Sequence, residues 1–179
     1  MPAYPTRKYP SSLPQQAAAV AVGVVALAVA SRLTVPLPDA AGVPITLQTW
    51  ALFVMAGLVG GRLALIAVLA WLASAALGAP VLADGAGGWR ALTGHTLGFL
   101  VGMAAAAFIC GRACERTRGV MSRTALFLGG HVIVLAVGWT GLVAFMSPAP
   151  AFAYGILPFI PGALIKSVAA ALTLRLFAR

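Results

Sequence analysis

The composition of this chain excludes a water-soluble globular domain. Of its 179 residues, 61% are hydrophobic and 8% are charged, whereas soluble domains carry about 25% charged residues. The net charge of +9 does not indicate nucleic-acid binding, because the lysines and arginines are scattered between apolar runs instead of gathered on one face with aromatic residues. Since a membrane-spanning helix needs about 20 apolar residues, we predict an all-α integral membrane protein with six transmembrane helices, surrounded by membrane lipids.

We predict a cytoplasmic tail over residues 1–14 and a single six-helix transmembrane domain over residues 15–179. The first apolar run, Ala17 to Ala30, follows a basic segment, as in a signal peptide. Because the chain downstream is equally apolar, we interpret this run as a retained first span. Small side chains at four-residue spacing, which serve either packing within the bundle or docking of another membrane subunit, recur at Ala17/Ala21, Ala26/Ala30, Gly57/Gly61 and Gly98/Gly102.

The second and third spans follow a proline-rich loop. Residues 34–44 contain three prolines, which remove backbone donors and forbid a regular helix. The second run, Ile45 to Gly60, begins with the polar stretch Thr46-Leu47-Gln48-Thr49. A tight turn at Gly60-Gly61-Arg62 then leads into the third span, Leu63 to Leu77.

The remaining spans are separated by a glycine-rich loop, a basic connector and a proline pair. In chain order these segments are the loop Val81 to Trp89, the fourth span Leu92 to Ile109, the connector Arg112 to Arg123, the fifth span from Thr124 to the break at Ser147-Pro148-Ala149-Pro150, and the sixth span. Because proline is well tolerated in a first helical turn, we expect the sixth span to begin near Pro158 or Pro161 and to run to about Phe177.

The distribution of cations predicts the orientation in the membrane. With six spans and a cytoplasmic N-terminus, the outer loops hold Arg32 and Arg90, and the cytoplasmic segments hold Arg7, Lys8, Arg62, Arg112, Arg116, Arg118, Arg123, Arg175 and Arg179. Cytoplasmic loops of membrane proteins carry an excess of lysine and arginine. We therefore predict a multi-pass protein of the inner (plasma) membrane with both termini in the cytoplasm.

Lys166 is the most informative single residue, because it lies several residues inside the sixth span. An ammonium group at the centre of a membrane helix costs roughly 2.5–3.5 kcal/mol even on the lenient scale. Such a residue usually faces a polar cavity or a partner, although its long stem also allows the charge to reach the interface. Both interpretations stay open, and the first makes Lys166 a candidate ligand group.

Gln48 and Thr49 form a second candidate group near the outer end of the second span. A primary amide offers donors and acceptors, which suits an amide-like or ureido-like ligand. A hydrogen bond that merely joins two helices is the alternative. For His131, inside the fifth span, the same helix-packing role is the favoured interpretation.

The second outer loop and its continuation carry four further candidates: Asp84, Trp89, Arg90 and His95. Together they place an acid, a cation and an indole close to the outer mouth of the bundle. The alternative is an ordinary solvated loop with a tryptophan at the membrane interface.

Enzymatic and metal-binding patterns are absent from the sequence. It contains neither a Gly-x-Ser-x-Gly elbow, nor His-Glu-x-x-His, nor a Walker A loop. Cys110 and Cys114 are four residues apart, but two thiols do not complete a metal site, so we expect ordinary reduced cysteines. We predict no enzymatic activity, no cofactor and no bound metal, and any uphill transport would draw its energy from another protein.

Three segments together resemble the BioY family, the substrate-capturing subunits of energy-coupling-factor (ECF) biotin transporters. They are Leu-Thr-Val-Pro-Leu-Pro from Leu33 with Val-Pro-Ile-Thr-Leu-Gln-Thr from Val43, then Gly-Ala-Pro-Val-Leu-Ala from Gly78 with Gly87-Gly88, and finally Gly-Ile-Leu-Pro-Phe-Ile-Pro-Gly from Gly155 with Lys166 downstream. The similarity covers nearly the whole chain in the same order.

The resemblance implies a six-helix S-component bundle for biotin uptake, with a transmembrane coupling protein and two ATPases as partners. It makes Gln48, Thr49, Asp84, Trp89, Arg90, His95 and Lys166 the expected biotin-binding residues, and Ala17, Ala21, Ala26 and Ala30 the expected docking residues. Trp50 and Phe159 are further candidates to cover the apolar rings. The chain departs from the family pattern at Ala163, where an acid is usual. An S component for another small anionic metabolite and a non-transporting membrane interaction protein are the alternatives.

Overall fold

A computed structural model describes residues 9–35 and 45–177 of the chain, which form a bundle of α-helices. The helices are α1 (Leu13–Arg32), α2 (Gln48–Val59), α3 (Gly61–Ala76), α4 (Trp89–Leu92), α5 (Leu97–Cys114), α6 (Val120–Leu142), α7 (Pro148–Gly155) and α8 (Ile160–Leu176). Two short strands, β1 (Thr34–Val35) and β2 (Ile45–Thr46), pair antiparallel, with Thr34 opposite Thr46.

The prediction of six membrane spans is confirmed in part. Four helical segments are long and apolar enough to cross a membrane: α1, α5, α6 and the segment Pro148–Leu176, which contains α7 and α8. The helices α2 and α3 are also apolar but have 12 and 16 residues. At about 1.5 Å rise per residue, both are shorter than a hydrocarbon core of about 30 Å.

Two predicted boundaries around the fourth span are wrong. The span begins at Leu97 instead of Leu92, because Trp89–Leu92 forms a separate turn of helix. It also continues to Cys114, which places Arg112 inside its last turn, paired with Glu115 at 3.3 Å. Arg123 belongs to the first turn of α6 and is buried. The connector between α5 and α6 is therefore shorter than predicted, because the flanking arginines pack along the helix ends.

Helix α2 occupies the centre of the bundle and contacts α1, α3, α5 and α8. Most of its residues are buried, including the fully buried Leu52 and Phe53. Gly60 ends the helix with a φ of 82°, a conformation that favours glycine, and α3 begins at the next residue. The predicted turn is confirmed at Gly60, whereas Gly61 and Arg62 already belong to α3, which therefore begins before the predicted Leu63. The turn allows a short central helix to be followed directly by the next helix.

Glycines at the predicted four-residue spacing bring pairs of helices into close contact. A Cβ atom at Gly98 of α5 would lie 2.5 Å from the carbonyl oxygen of Val137 and 3.0 Å from Cα of Gly141, both in α6. A Cβ atom at Gly61 of α3 would collide with the backbone of α5. These glycines therefore serve packing within the bundle, because a larger side chain would leave no room for the neighbouring backbone.

The alanine pairs of α1 divide between two environments. Ala17 and Ala21 are exposed on the outside of the bundle, Ala26 is half-buried, and Ala30 is 4% exposed. Ala30 therefore packs against the bundle and is not accessible on its surface. The prediction of a docking stripe can only concern the part of α1 that precedes Ala30.

The described arginines lie at the two ends of the bundle, as helix alternation requires. One end, here called the arginine-rich end, carries Arg62, Arg112, Arg116, Arg118, Arg123 and Arg175, and the opposite end carries Arg32 and Arg90. Arg7, Lys8 and Arg179 lie outside the described residues. Lys166 belongs to neither group, since it follows the first turn of α8.

The close contact at Gly98 predicts a clear difference between two glycine substitutions. In Gly98→Ala the new methyl group meets the backbone of α6, so we expect a stability loss of about 1–3 kcal/mol. The matched control is Gly129→Ala in α6, where a Cβ atom would meet nothing within 4 Å. The control should unfold at or slightly above the wild-type temperature, because alanine favours helix over glycine. Thermal unfolding in detergent measures both, and equal melting temperatures for the two variants would contradict the packing described here.

Candidate ligand-binding site

A cavity of about 360 Å³ opens at the end of the bundle opposite the arginine-rich end. It lies between the start of α2, the segment from Leu82 to Thr96, and the facing parts of α5, α6 and α8. Its volume falls within the range of about 300–1,000 Å³ typical of small-molecule sites. Most of the wall is apolar, from residues such as Phe99, Leu100, Met103, Val134 and Phe159, and polar groups interrupt it at a few points.

Six of the seven residues predicted as ligand contacts line this one cavity: Gln48, Thr49, Asp84, Arg90, His95 and Lys166. The seventh, Trp89, is 70% exposed and lies outside the lining, because it begins the short helix α4 with its side chain towards the surroundings. Of the two aromatic residues expected to cover a ligand, Phe159 lines the cavity and Trp50 does not. The fold thus brings together residues that are more than 100 positions apart in the chain.

Lys166 is half-buried and lines the cavity. Its Nζ donates a hydrogen bond to the backbone carbonyl oxygen of Thr46 at 3.1 Å. The charge therefore stays beside the cavity instead of extending along its stem to the membrane interface. Ala163, one helical turn earlier, is 6% exposed. No carboxylate from that turn of α8 balances the ammonium group.

Gln48 joins two parts of the structure and lines the cavity at the same time. Its Nε2 donates to the hydroxyl of the buried Ser31 at 2.7 Å, and its Oε1 accepts from the hydroxyl of Thr46 at 2.7 Å. The side chain is 8% exposed. The two interpretations left open by the sequence, a bond between helices and a contact with a ligand, are therefore compatible in position. The structural bonds use one donor and one acceptor of the amide.

His131 lines the same cavity, although the sequence favoured a packing role for it. Its Nε2 lies 3.0 Å from the Thr49 hydroxyl, and its Nδ1 lies 3.0 Å from the Ser167 hydroxyl and 3.1 Å from the Phe127 carbonyl oxygen. The ring thus links α2, α6 and α8. The packing bonds are present, and so is a position in the wall. The only sign of this cluster in the sequence is that a histidine, a threonine and a serine occur in apolar helices. Their contacts in the folded protein are what show that they lie together.

The mouth of the cavity is held by hydrogen bonds between the loops at this end of the bundle. Asp84 accepts a hydrogen bond from the Thr34 hydroxyl at 3.2 Å and has a positive φ of 53°. Arg32 donates to the carbonyl oxygen of Pro80 at 2.7 Å, and the indole of Trp71 donates to the carbonyl oxygen of Val81 at 3.0 Å. These bonds fix the loop between α3 and α4 against the ends of α1 and α3. Asp84 is thereby held at the rim.

The charges of the described lining residues favour an anion. Lys166 and Arg90 each contribute a positive charge, and Asp84 contributes one negative charge. Asp84 is exposed and already accepts a hydrogen bond, whereas Lys166 is half-buried. Because a charge interacts more strongly where water is excluded, the field at the inner part of the cavity is positive.

Comparison with known proteins identifies the family of this chain. The family model of the BioY family matches residues 6–179. The chain belongs to the BioY family. The relatives include the biotin transporter BioY of Rhodobacter capsulatus, 38% identical over 86% of this chain and 88% of its own length, and that of Rhizobium etli, 40% identical over 73% and 75%. The corresponding protein of Thermotoga maritima is 32% identical over 82% of this chain and 85% of its own length.

One solved structure shares the fold of this BioY-family chain. It is the S-component for biotin from an ECF-type ABC transporter, with a TM-score of 0.81 and 23% sequence identity over 93% of this chain and 94% of the other. The expected membership in the BioY family is confirmed by the family model, and the fold is shared with that S-component. The chain is a multi-pass membrane protein of a transporter family.

The position of Gln48 predicts that it contributes to stability before any ligand binds. Replacement by Leu leaves the Thr46 hydroxyl without its acceptor and removes a donor from Ser31, so we expect a loss of about 1–3 kcal/mol. Gln16→Leu is the matched control, because Gln16 bonds only to an exposed carbonyl at the start of α1. Thermal unfolding of the ligand-free proteins in detergent compares them. An unchanged melting temperature of Gln48→Leu would leave Gln48 as a ligand contact alone.

Proposed function

We propose that this protein captures biotin from outside the cell and mediates its uptake as the S component of an ECF-type transporter. The observation that carries the proposal is Lys166, a cation retained in the interior of a membrane bundle and facing a largely apolar cavity. A residue so costly to bury usually serves a ligand or a partner. The relatives named as biotin transporters and the shared S-component fold make biotin the first choice.

The cavity offers the groups that biotin requires. Its carboxylate needs a cation, which Lys166 or Arg90 would provide. Its ureido ring needs both donors and acceptors, which Gln48, Thr49 and Asp84 would supply. The apolar rings would pack against Phe99 and Phe159. In this proposal His95 contacts the ligand at the mouth, and Trp89 covers it from the loop outside the cavity.

The energy for uptake comes, in this proposal, from a separate transmembrane coupling protein and two ATPases. The sequence has no nucleotide-binding loop, and the protein itself acts as a transporter subunit instead of an enzyme. The exposed residues Ala17 and Ala21 would form the docking contact, because small side chains permit close helix approach in lipid. Ala26 would lie at its edge.

The proposed topology has six membrane passages and a cytoplasmic arginine-rich end. The cations of that end follow the excess of basic residues in cytoplasmic loops, and the cavity then opens outward, where biotin is captured. In this arrangement α2 and α3 are the two short passages, and both termini lie in the cytoplasm.

A second ligand class is favoured by one observation. Because Ala163 is a buried alanine one turn before Lys166, the ammonium group lacks a carboxylate neighbour on its own helix. An unbalanced cation suits a small anionic metabolite other than biotin equally well. A thermal shift with such a carboxylate, in the absence of any biotin binding, would favour this class.

The first test of the proposed function is biotin binding by the purified protein and by Lys166→Met. Methionine keeps an unbranched stem and removes the charge, so we expect a loss of affinity of about 10- to 100-fold, corresponding to a charge-assisted hydrogen bond of about 1.5–3 kcal/mol. Equilibrium binding of radiolabelled biotin in detergent measures it.

The matched control for this experiment is Arg175→Met on the same helix. Arg175 is exposed in the last turn of α8, away from the cavity, and its replacement should leave biotin affinity unchanged. Wild-type protein that binds no biotin would contradict the proposed function. Tight binding retained in Lys166→Met would instead remove only Lys166 from the site.

The docking proposal predicts that bulky side chains on α1 weaken association with the coupling protein. In Ala17→Leu/Ala21→Leu the added side chains separate the helices, so we expect co-purification of the coupling subunits to fall several-fold while biotin binding persists. Val22→Phe is the control, since Val22 is 69% exposed but lies about 140° around the helix from Ala17 and about 100° from Ala21. Equal recovery of the coupling subunits with both variants would exclude this face of α1.

A further inference from the structure

A chain of hydrogen bonds below the cavity links three helices through one side chain. Ser167 of α8 contacts Nδ1 of His131 in α6, and Nε2 of His131 contacts the hydroxyl of Thr49 in α2. All three side chains are at most 8% exposed. Thr49 and His131 line the cavity, whereas Ser167 does not. The chain therefore runs from the interior of the bundle to the cavity wall and ends there at an oxygen atom.

The direction of these bonds follows from the Phe127 carbonyl. That oxygen lies 3.1 Å from Nδ1 of His131 and can only accept. We assign the proton to Nδ1, because an unprotonated Nδ1 would face the lone pairs of this carbonyl oxygen; the Ser167 hydroxyl at 3.0 Å then accepts from the same N–H group. Nε2 is then the unprotonated nitrogen and accepts the hydroxyl proton of Thr49 at 3.0 Å. Since a hydroxyl has one proton and two lone pairs, Thr49 is left as an acceptor with its oxygen in the wall.

The other polar groups of the wall differ from this acceptor in charge, burial or hydrogen-bonding state. Lys166 can only donate. The Oε1 of Gln48 already accepts from Thr46, and Asp84 is exposed at the rim and accepts from Thr34. A buried, oriented acceptor at the floor of a site discriminates strongly, because a ligand without a donor leaves it unpaired.

We propose that Thr49 is a specificity-determining ligand contact, whose hydroxyl oxygen, oriented by His131, accepts a hydrogen bond from an N–H group of the bound ligand. The inference deepens the proposed function and rests on it, with a ureido N–H of biotin as the donor. His131 acts in this arrangement as a positioning residue. Its Nε2 accepts the hydrogen bond from the Thr49 hydroxyl, so the lone pairs of the hydroxyl oxygen face the ligand. Ala163 provides no carboxylate one turn before Lys166. The neutral hydroxyl oxygen of Thr49 therefore matters more as an acceptor for the ligand.

The experiment compares biotin binding by the wild type with Thr49→Val and Thr49→Ser. Valine has the shape of threonine without the hydroxyl, so the ligand donor stays unpaired and affinity should fall about tenfold or more. Serine keeps the hydroxyl and should remain within about threefold of the wild type. Wild-type binding with an undiminished affinity in Thr49→Val would overturn the inference and leave the proposed function intact, whereas a wild type that binds no biotin overturns the proposed function itself.

A second variant separates positioning by His131 from a purely structural role. His131→Leu frees the Thr49 hydroxyl to rotate, so it should lower affinity about as much as Thr49→Val does, and the double variant should lose no more than either single variant. Such non-additivity is the mark of two residues acting as one unit. Losses that add in the double variant would overturn the positioning role.

The ligand itself supplies the third arm of the test. Biotin methylated at one ureido nitrogen lacks that N–H, and the two N-methyl isomers can be compared with biotin on each protein. For the isomer that removes the Thr49 bond, the wild type should lose about tenfold or more, and Thr49→Val should lose much less. If both proteins lose the same factor for both isomers, Thr49 does not accept from the ureido group.

Discussion

The structure depends on the burial of polar groups at the start of α2 in a lipid-facing bundle. Hydrocarbon offers no hydrogen bonds, so each polar group there needs a partner within the protein. Gln48 bonds to Ser31 in α1 and to Thr46, and Thr49 bonds to His131 in α6. These bonds fix the central helix against its neighbours. They also place an amide, a hydroxyl and an imidazole beside the carbonyl oxygen that holds Lys166.

The same constraint explains why the site is at the end of the bundle where α2 begins. Along most of its length α2 is enclosed by apolar side chains, and glycines allow α3, α5 and α6 to pack closely around it. At its start the neighbouring helices end in loops, and the cavity opens there. Polar groups would be energetically costly deeper in the bundle. At this position the cost is lower, because a ligand can complete their hydrogen bonds.

In the proposed site, recognition combines one half-buried cation, Lys166, with neutral donors and acceptors. A single unbalanced charge in a low-dielectric wall attracts an anion over a larger distance than a neutral group can. The neutral groups act at contact and discriminate by the pattern of donors and acceptors. The rim residues Asp84 and Arg90 are exposed and act where water screens their charges. The inner wall and the rim thus have different roles in the proposed site because their residues differ in burial.

The sequence by itself determined that the chain lies in a membrane, that it is helical, which family it resembles and most of the candidate site residues. Hydropathy, the energetic cost of burying the Lys166 ammonium group and the family-like segments are all local properties of the chain. The sequence misplaced the start of the fourth span, since nothing local separates the turn of helix before Thr93 from α5. Only the tertiary structure decided that Trp89 lies outside the cavity, that Ala30 is buried and that His131 belongs to the wall. Each of these depends on which face of a helix meets a neighbour, and that is fixed by packing between segments far apart in the chain.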